Sequence, residues 1–323
     1  MEKMEKAKRD FLKSVLVPDN TVSPASAYLP KPIADEMIKV IEETNWMRKI
    51  FRGIFVPGRT FTVPTVNYDY DNVKQAAIGA APGGLSNTAP SVGSIVLEPG
   101  KLAAKGALQV DDIDDSSIDV VDMLLENFAI AFARAEERAM VLGTERDRTS
   151  TDILKVFLGL YEIAANHSTT TAVTYDPSTA YAVVDAVSEA IKELGVYGRN
   201  KKDLVLLVSS TMADYMRKDK SLRYDMTGHK NVMDQGDLPK VFGVDVLETT
   251  YLDGKGEGTN KACGILVPKS EAVIGDRRKF KVVPENDPEN DAVNYYAYES
   301  IDFQLLHRTG TDYDAIVLID QVS

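Results

Sequence analysis

The stretch from Ser117 to Leu142 constrains this chain more than any other. Ile118, Val121, Leu125, Phe128, Phe132, Ala135, Ala139 and Leu142 step by three and four residues without a break, which places one apolar stripe along an α-helix. At 1.5 Å per residue the segment makes a rod about 39 Å long. A rod of that length runs the full width of a domain, so the remaining elements must be laid along it. The same spacing also describes a coiled coil, but the repeat lasts only about three and a half heptads and puts alanine at two late seam positions. A helix packed within its own domain is the better reading.

The segments before the rod differ from it. Met1, Met4, Phe11, Leu12, Val15 and Leu16 share a face at helical spacing, so the first 17 residues read as an amphipathic helix. Lys3, Lys6, Lys8, Arg9 and Lys13 give it a slight basic excess, which suits a solvated face as well as an acidic partner. Pro18, Pro24, Pro30 and Pro32 keep residues 18 to 32 extended. A second helix is expected from Pro32, with the stripe Ile33, Met37, Val40, Ile41, Met47 and Phe51, ending in Lys49, Arg52 and Gly53. From 54 to 105, β-type fragments flank the run AAIGAAPGGLSNTAPSVG. This reads as a long hairpin or excursion, whose few large apolar side chains cannot offset the entropy of ordering it alone. Such a loop either stays mobile or docks on another surface.

Beyond the rod, helices and short strands alternate. A helix at Ser178 to Leu194, a buried strand at Leu204 to Val208 and a short helix at Thr211 to Lys218 precede strands at Val244 to Glu248 and Ile265 to Val267. The tail adds long β segments, KFKVVPEN and NYYAYESIDFQLLHR, and a last strand AIVLID. Short strands between helices predict an α+β or α/β domain with a small central sheet.

Composition and motifs remove several function classes. With 37 Lys and Arg against 49 Asp and Glu, the net charge is -12, without the basic footprint of a nucleic-acid reader. Cys263 is the single cysteine, so no intrachain disulfide and no cysteine-based zinc site can form. No secretory signal pattern opens the chain, and no apolar run approaches the ~20 residues of a membrane span. The glycines of GKGEG at 254 to 258 lack the third dinucleotide glycine, which is Thr259, and the window from Asp253 has Gly264 where a calcium loop needs Glu. Asp111, Asp112, Asp114, Asp115, Asp119 and Asp122 crowd the start of the rod, where they complement the helix dipole; a divalent metal is the lesser reading. His167, His229 and His307 stand singly, with no ligand pair and no nucleophile elbow. No cofactor, metal or catalytic residue is expected.

The order of these parts resembles the major capsid proteins of tailed phages, the Hong Kong 97 fold, from about residue 28 to the C-terminus. YLPKPIADEMIKVIEETNWMRKIF is similar to the family's N-arm, and ALQVDDIDDSSIDVVDMLLENFAIAFARAEERAMVLG to its spine helix. LVLLVSSTMADYMRKDKSLRYD and LPKVFGVDVLETTYL resemble its A-domain, and NYYAYESIDFQLLHRTGTDYDAIVLID its long P-domain strand. The resemblance implies an N-terminal helix and arm over 1–53 and an E-loop over 54–105. It implies a P-domain over 106–160 and 276–309, with the spine at 117–142, and an A-domain over 161–275 and 310–323.

It also implies a structural subunit, not an enzyme, that assembles with itself as hexamers and pentamers into an icosahedral shell around double-stranded DNA. That DNA would be held without sequence-specific binding, in a virion capsid put together in the host cytoplasm. A separate scaffolding protein, a portal, and a prohead protease or cement protein are the implied partners, and no membrane is. Gln75, Ile78, Leu85, Val92 and Ile95 are the candidate intersubunit contacts. Some relatives cross-link a loop lysine to a neighbour's asparagine. Here Gln75 to Gly100 holds no lysine, only Lys74 and Lys101 flank it, and Asn294 is the asparagine candidate, so the cross-link is in doubt. An encapsulin-like nanocompartment shares the implied fold. A small-molecule enzyme built on 177 to 275 is the remaining alternative.

Overall fold

A computed structural model describes residues 45–67, 91–110, 120–176, 182–218, 240–255, 261–306, 308–309 and 312–321. Its first element is the short helix α1 (Trp46–Ile50). The expectation of one helix from 32 to 53 is corrected at its described end, because Asn45 is an N-cap in extended geometry. Its Oδ1 accepts from the backbone N–H groups of Met47 at 3.0 Å and Arg48 at 3.3 Å, so a helix starts anew there. Arg52 and Gly53, expected in the last turn, instead open strand β1 (Arg52–Phe55).

Three further strands join β1 in one sheet: β4 (Gly100–Gln109), β9 (Ala272–Asp287) and β10 (Ala292–Leu305). The order is β1-β9-β10-β4, with β1 parallel to β9 and β10 antiparallel to both its neighbours. What leaves the body is therefore narrower than 54 to 105. It is the hairpin of β2 (Phe61–Asn67) and β3 (Ser91–Leu97), paired from Phe61 with Leu97 to Asn67 with Ser91. β4 runs unbroken across the expected 105/106 division, and β9 across 275/276.

The rod is helix α2, Val120–Leu142 in the described residues. Val121, Leu125, Phe128 and Phe132 are buried against one face of this sheet, with Leu102 of β4 and Val293, Tyr295 and Ala297 of β10. Phe132 meets Phe280 of β9 edge to face, centroids 5.3 Å apart. Gly106 lets the helix come this close, since a Cβ there would lie 2.7 Å from Leu124 Cδ1 and 3.0 Å from Phe128 Cζ.

The alternating middle of the chain builds a five-stranded sheet from β5 (Val173–Tyr175), β6 (Leu204–Val208), β7 (Asp245–Glu248), β8 (Lys261–Pro268) and β13 (Val317–Gln321). Its order is β5-β13-β8-β6-β7, and a two-residue pair, β11 (Arg308–Thr309) with β12 (Asp312–Tyr313), lies just before β13. All five residues of β6 are buried, and their alternation feeds two cores. Val205 and Leu207 join the core of α2 and α3 (Leu160–Asn166), whereas Leu204, Leu206 and Val208 face α4 (Ala182–Glu193) and α5 (Ser210–Lys218). One continuous core thus binds the rod to both sheets.

The exit of α2 is the tightest point. The N–H of Gly143 donates to Ala139 O at 2.8 Å, and that of Gly159 to Gly143 O at 2.9 Å. A Cβ on Gly143 would lie 2.2 Å from Phe157 O, with backbone that cannot rotate aside. Gly143→Ala is expected to lower unfolding free energy by about 3 kcal/mol, read as a fall in the urea midpoint. An unchanged midpoint would show that this crossing relaxes freely.

Candidate assembly surfaces

Two charged joints position the parts that leave the body. At the first, Arg48 of α1 inserts between α2 and the four-stranded sheet. Its Nε and Nη2 donate to the two carboxylate oxygens of Glu136, both at 2.7 Å. Nη1 reaches Asp276 Oδ2 at 3.0 Å, and Nη2 reaches Glu299 Oε1 at 3.1 Å. Asn45 Nδ2 donates to Glu136 Oε2 at 2.7 Å, and the Trp46 N–H to Glu137 Oε1 at 2.8 Å. Glu136 is fully buried and Glu299 nearly so. Two acidic residues of the rod, one of β9 and one of β10 therefore converge on the chain as it enters the fold.

Three carboxyls crowd one guanidinium, and the cost of burying their charge falls on Glu299. Burial opposes the charge on Arg48, but Glu136, Asp276 and Glu299 outweigh it and keep Arg48 protonated. Burial first, then the charge of Glu136, pushes the Glu299 carboxyl well above its ordinary range against the pull of Arg48. Glu299 Oε2 accepts no hydrogen bond, so the ionised form is only half satisfied. The folded subunit holds a proton there that the unfolded chain releases near the usual ~4.3. The contribution of Glu299 is complete below that pH and is lost as pH rises through the raised folded value. Urea unfolding across pH is expected to show this negative slope, reduced in Glu299→Gln; an identical slope in the variant would reject the assignment.

The second joint clamps the root of the β2–β3 hairpin. Arg146, just past α2, donates from Nη2 to both oxygens of Asp302, at 2.7 and 2.9 Å. Asp302 Oδ2 also accepts from the Glu98 N–H at 2.6 Å. Arg148 Nη1 donates to Pro99 O at 2.8 Å, and its Nη2 to Glu98 O. Burial pushes Asp302 up to about 6 despite Arg146, so it adds its own fall in stability between about pH 4 and 6. A small core of Val56, Leu97 and Val273, lined by Ile54, Phe61 and Val63, seats the inner side of the hairpin.

Strand alternation decides which hairpin residues face outward. Ile95 is 8% exposed, on the same side as Leu97, whereas Val96 is 40% exposed, beyond Phe55 at 64%. Ile95, one of the expected contacts, is thus packed against its own subunit, and its neighbour Val96, which is not among them, is exposed. Val92 lies in β3 opposite Val66, while Gln75, Ile78, Leu85 and Lys74 fall outside the described residues. Lys101 pairs in register with Ser300 and Asn294 with Ala107, so six rungs, about 20 Å, separate them within one subunit. The Lys101 ammonium sits 3.9 Å from the Tyr298 ring centroid. Asn294 is buried and donates to Asp287 Oδ2 at 3.3 Å.

Of the aspartate cluster, Asp122 stands in the first described turn of α2, and Asp111, Asp112, Asp114, Asp115 and Asp119 lie outside the described residues. His167 ends α3; His229 and His307 are also outside, as is most of the GKGEG stretch. Among the described residues no three His, Cys, Asp or Glu side chains gather as metal ligands, and no helix is long and apolar enough to cross a membrane. The joint at Arg48 escaped the sequence reading. Its one signal was Glu136, a charge set four residues after Phe132 and three before Ala139, on the apolar stripe itself.

These features describe a structural subunit: charged joints and a projecting ribbon. The chain belongs to the phage capsid family, whose family model matches residues 25–319. The structure is similar to the capsid of a native GTA particle, with a TM-score of 0.61 and 20% identity, covering 87% of this chain and 91% of that one. It is similar to a structure from Mycobacterium phage Adephagia, with a TM-score of 0.60 and 14% identity over 86% and 90% of the two chains. The mature capsid of bacteriophage PhiM1 gives 0.58 and 13% identity over 85% and 86%. No curated protein matches the sequence. The expected family and the mixed helix-and-sheet fold are borne out, and the chain is a structural protein, not an enzyme.

Proposed function

We propose that this chain is the major subunit of an icosahedral phage head. Copies assemble through hexamers and pentamers into a shell that encloses double-stranded DNA. Residues 1–53 act as an arm and the β2–β3 hairpin within 54–105 as the reaching loop, with the rod and long strands as the peripheral domain and the five-stranded sheet as the axial one. The observation that carries this reading is the β2–β3 hairpin, which is clamped at its root and keeps Val96 on an outward side. A ribbon held so firmly at one end is suited to reaching a neighbour, and repeated modest contacts then sum over a closed shell. A separate scaffolding protein, a portal, and a prohead protease or cement protein complete the assembly in the host cytoplasm. The net charge of -12 suits DNA packed without sequence-specific adhesion.

Expression of the full chain, alone and with its scaffold, followed by sedimentation velocity and negative-stain electron microscopy tests the proposal. Shells, tubes or ring-shaped capsomers are the expected result. Monomers that persist with scaffold present would refute it, and shells that enclose a co-purifying protein would move the reading to a nanocompartment.

A further inference from the structure

A groove lies apart from both joints. It has a volume of about 750 Å³ and runs between β4 and the middle of α2, with Leu102, Ala104, Phe132 and Ala135 along its floor. Among the described residues β4 is an edge strand, whose outer backbone groups have no strand partner in the sheet. The rim carries Arg134 and Arg138, both exposed, whereas the ammonium of Lys101 lies over the Tyr298 ring. Arg134 acts on the Glu137 carboxyl of its own helix, and the one aspartate in the lining, Asp152, accepts from the Leu154 N–H at 3.0 Å. Two exposed arginines on successive turns of one helix beside an apolar slot are conspicuous in a chain with 12 excess negative charges.

The opposite charge stands at the far end of the same sheet. The β9–β10 turn carries Glu285, Asp287, Glu289 and Asp291 within seven residues, without a basic residue between them, and Glu285 and Glu289 are exposed. The turn cannot reach its own groove. Ala103 pairs with Tyr298, six rungs from the end of β10 at Ala292, so the tip points away from the groove at a distance above about 20 Å.

We infer that the groove between β4 and α2 receives the acidic β9–β10 turn of a second copy of this chain. Arg134 and Arg138 meet its carboxylates, and the alanine-lined floor accepts the turn backbone. Each copy gives a tip and receives one, so the contact is head to tail and closes into a ring when its rotation allows. The inference rests on the assembly reading above and adds which surfaces carry it.

The test is a charge swap on the full chain, read by sedimentation velocity, with circular dichroism as the check on folding. Arg134→Glu with Arg138→Glu, and separately Glu285→Lys with Glu289→Lys, are each expected to lower the assembled fraction roughly tenfold. Combining all four is expected to restore it. Wild-type shells with unaffected single-side variants would overturn this contact alone, and so would a combination that fails to restore. A wild type that never assembles would overturn the assembly reading together with it. Should a reversal fail to fold, Arg138→Cys with Glu289→Cys takes its place: oxidation yields covalent chains of subunits if the contact exists, and only monomers if it does not.

Discussion

Replacing Arg48 with methionine is expected to lower the unfolding free energy of the subunit by about 3–5 kcal/mol, measured by urea denaturation near neutral pH. Among the described residues the guanidinium is the one cation facing Glu136, Asp276 and Glu299 at hydrogen-bonding distance. Methionine fills a similar volume, so the loss comes from charge rather than from a void. Glu136 keeps Asn45 as a neutral donor, but the buried carboxyls lose the cation that offsets their desolvation. Without the pull of Arg48, Glu299 holds its proton more firmly in the folded state, so the variant's stability should fall over a wider range of rising pH than that of the wild type. Adding Glu136→Gln should recover part of the loss. A single variant as stable as the wild type would mean that the cluster is screened by water and contributes little.

Replacing residues 68–90 with a two-residue Asn-Gly turn is expected to abolish shells while leaving a folded subunit within about 1 kcal/mol of the wild type. Asn67 pairs with Ser91, so the strands already meet in the register that a tight turn requires. The replacement spares the small core at Val56, Leu97 and Val273 and the clamp at Arg146, which a cut from 60 to 105 would destroy along with half of β4. It removes Gln75, Ile78 and Leu85 together. Electron micrographs showing intact shells of the shortened chain would end the assignment of assembly contacts to this loop.

Periodicity made much of the fold legible. The stripe from Val121 to Leu142 forms the rod, and the run Leu204 to Val208 is a buried strand, because side-chain spacing along one element encodes which face is covered. Contacts between distant segments left no such trace. Arg48 and Glu299 lie 251 residues apart, and nothing in the spacing of either pairs them. Asn45 looked like one polar residue in a helix, yet its side chain caps a new one because Glu136 fixes it from across the fold. Ile95 and Val96 are both apolar and β-branched, so the sequence could not say which faces the body; the register with Val63 and Thr62 decides it.

The clamp at Arg146 and Arg148 also sets an aiming tolerance. From Phe61 with Leu97 to Asn67 with Ser91 the ribbon extends about 20 Å from its root. A tilt of about 5° at the root would carry the last rung sideways by nearly 2 Å, a large part of the spacing between adjacent strands. Two arginines gripping Asp302 and the carbonyls of Glu98 and Pro99 from different directions oppose that tilt. The accuracy with which one copy meets the next is thus set where the ribbon begins, by residues that need never touch the neighbour.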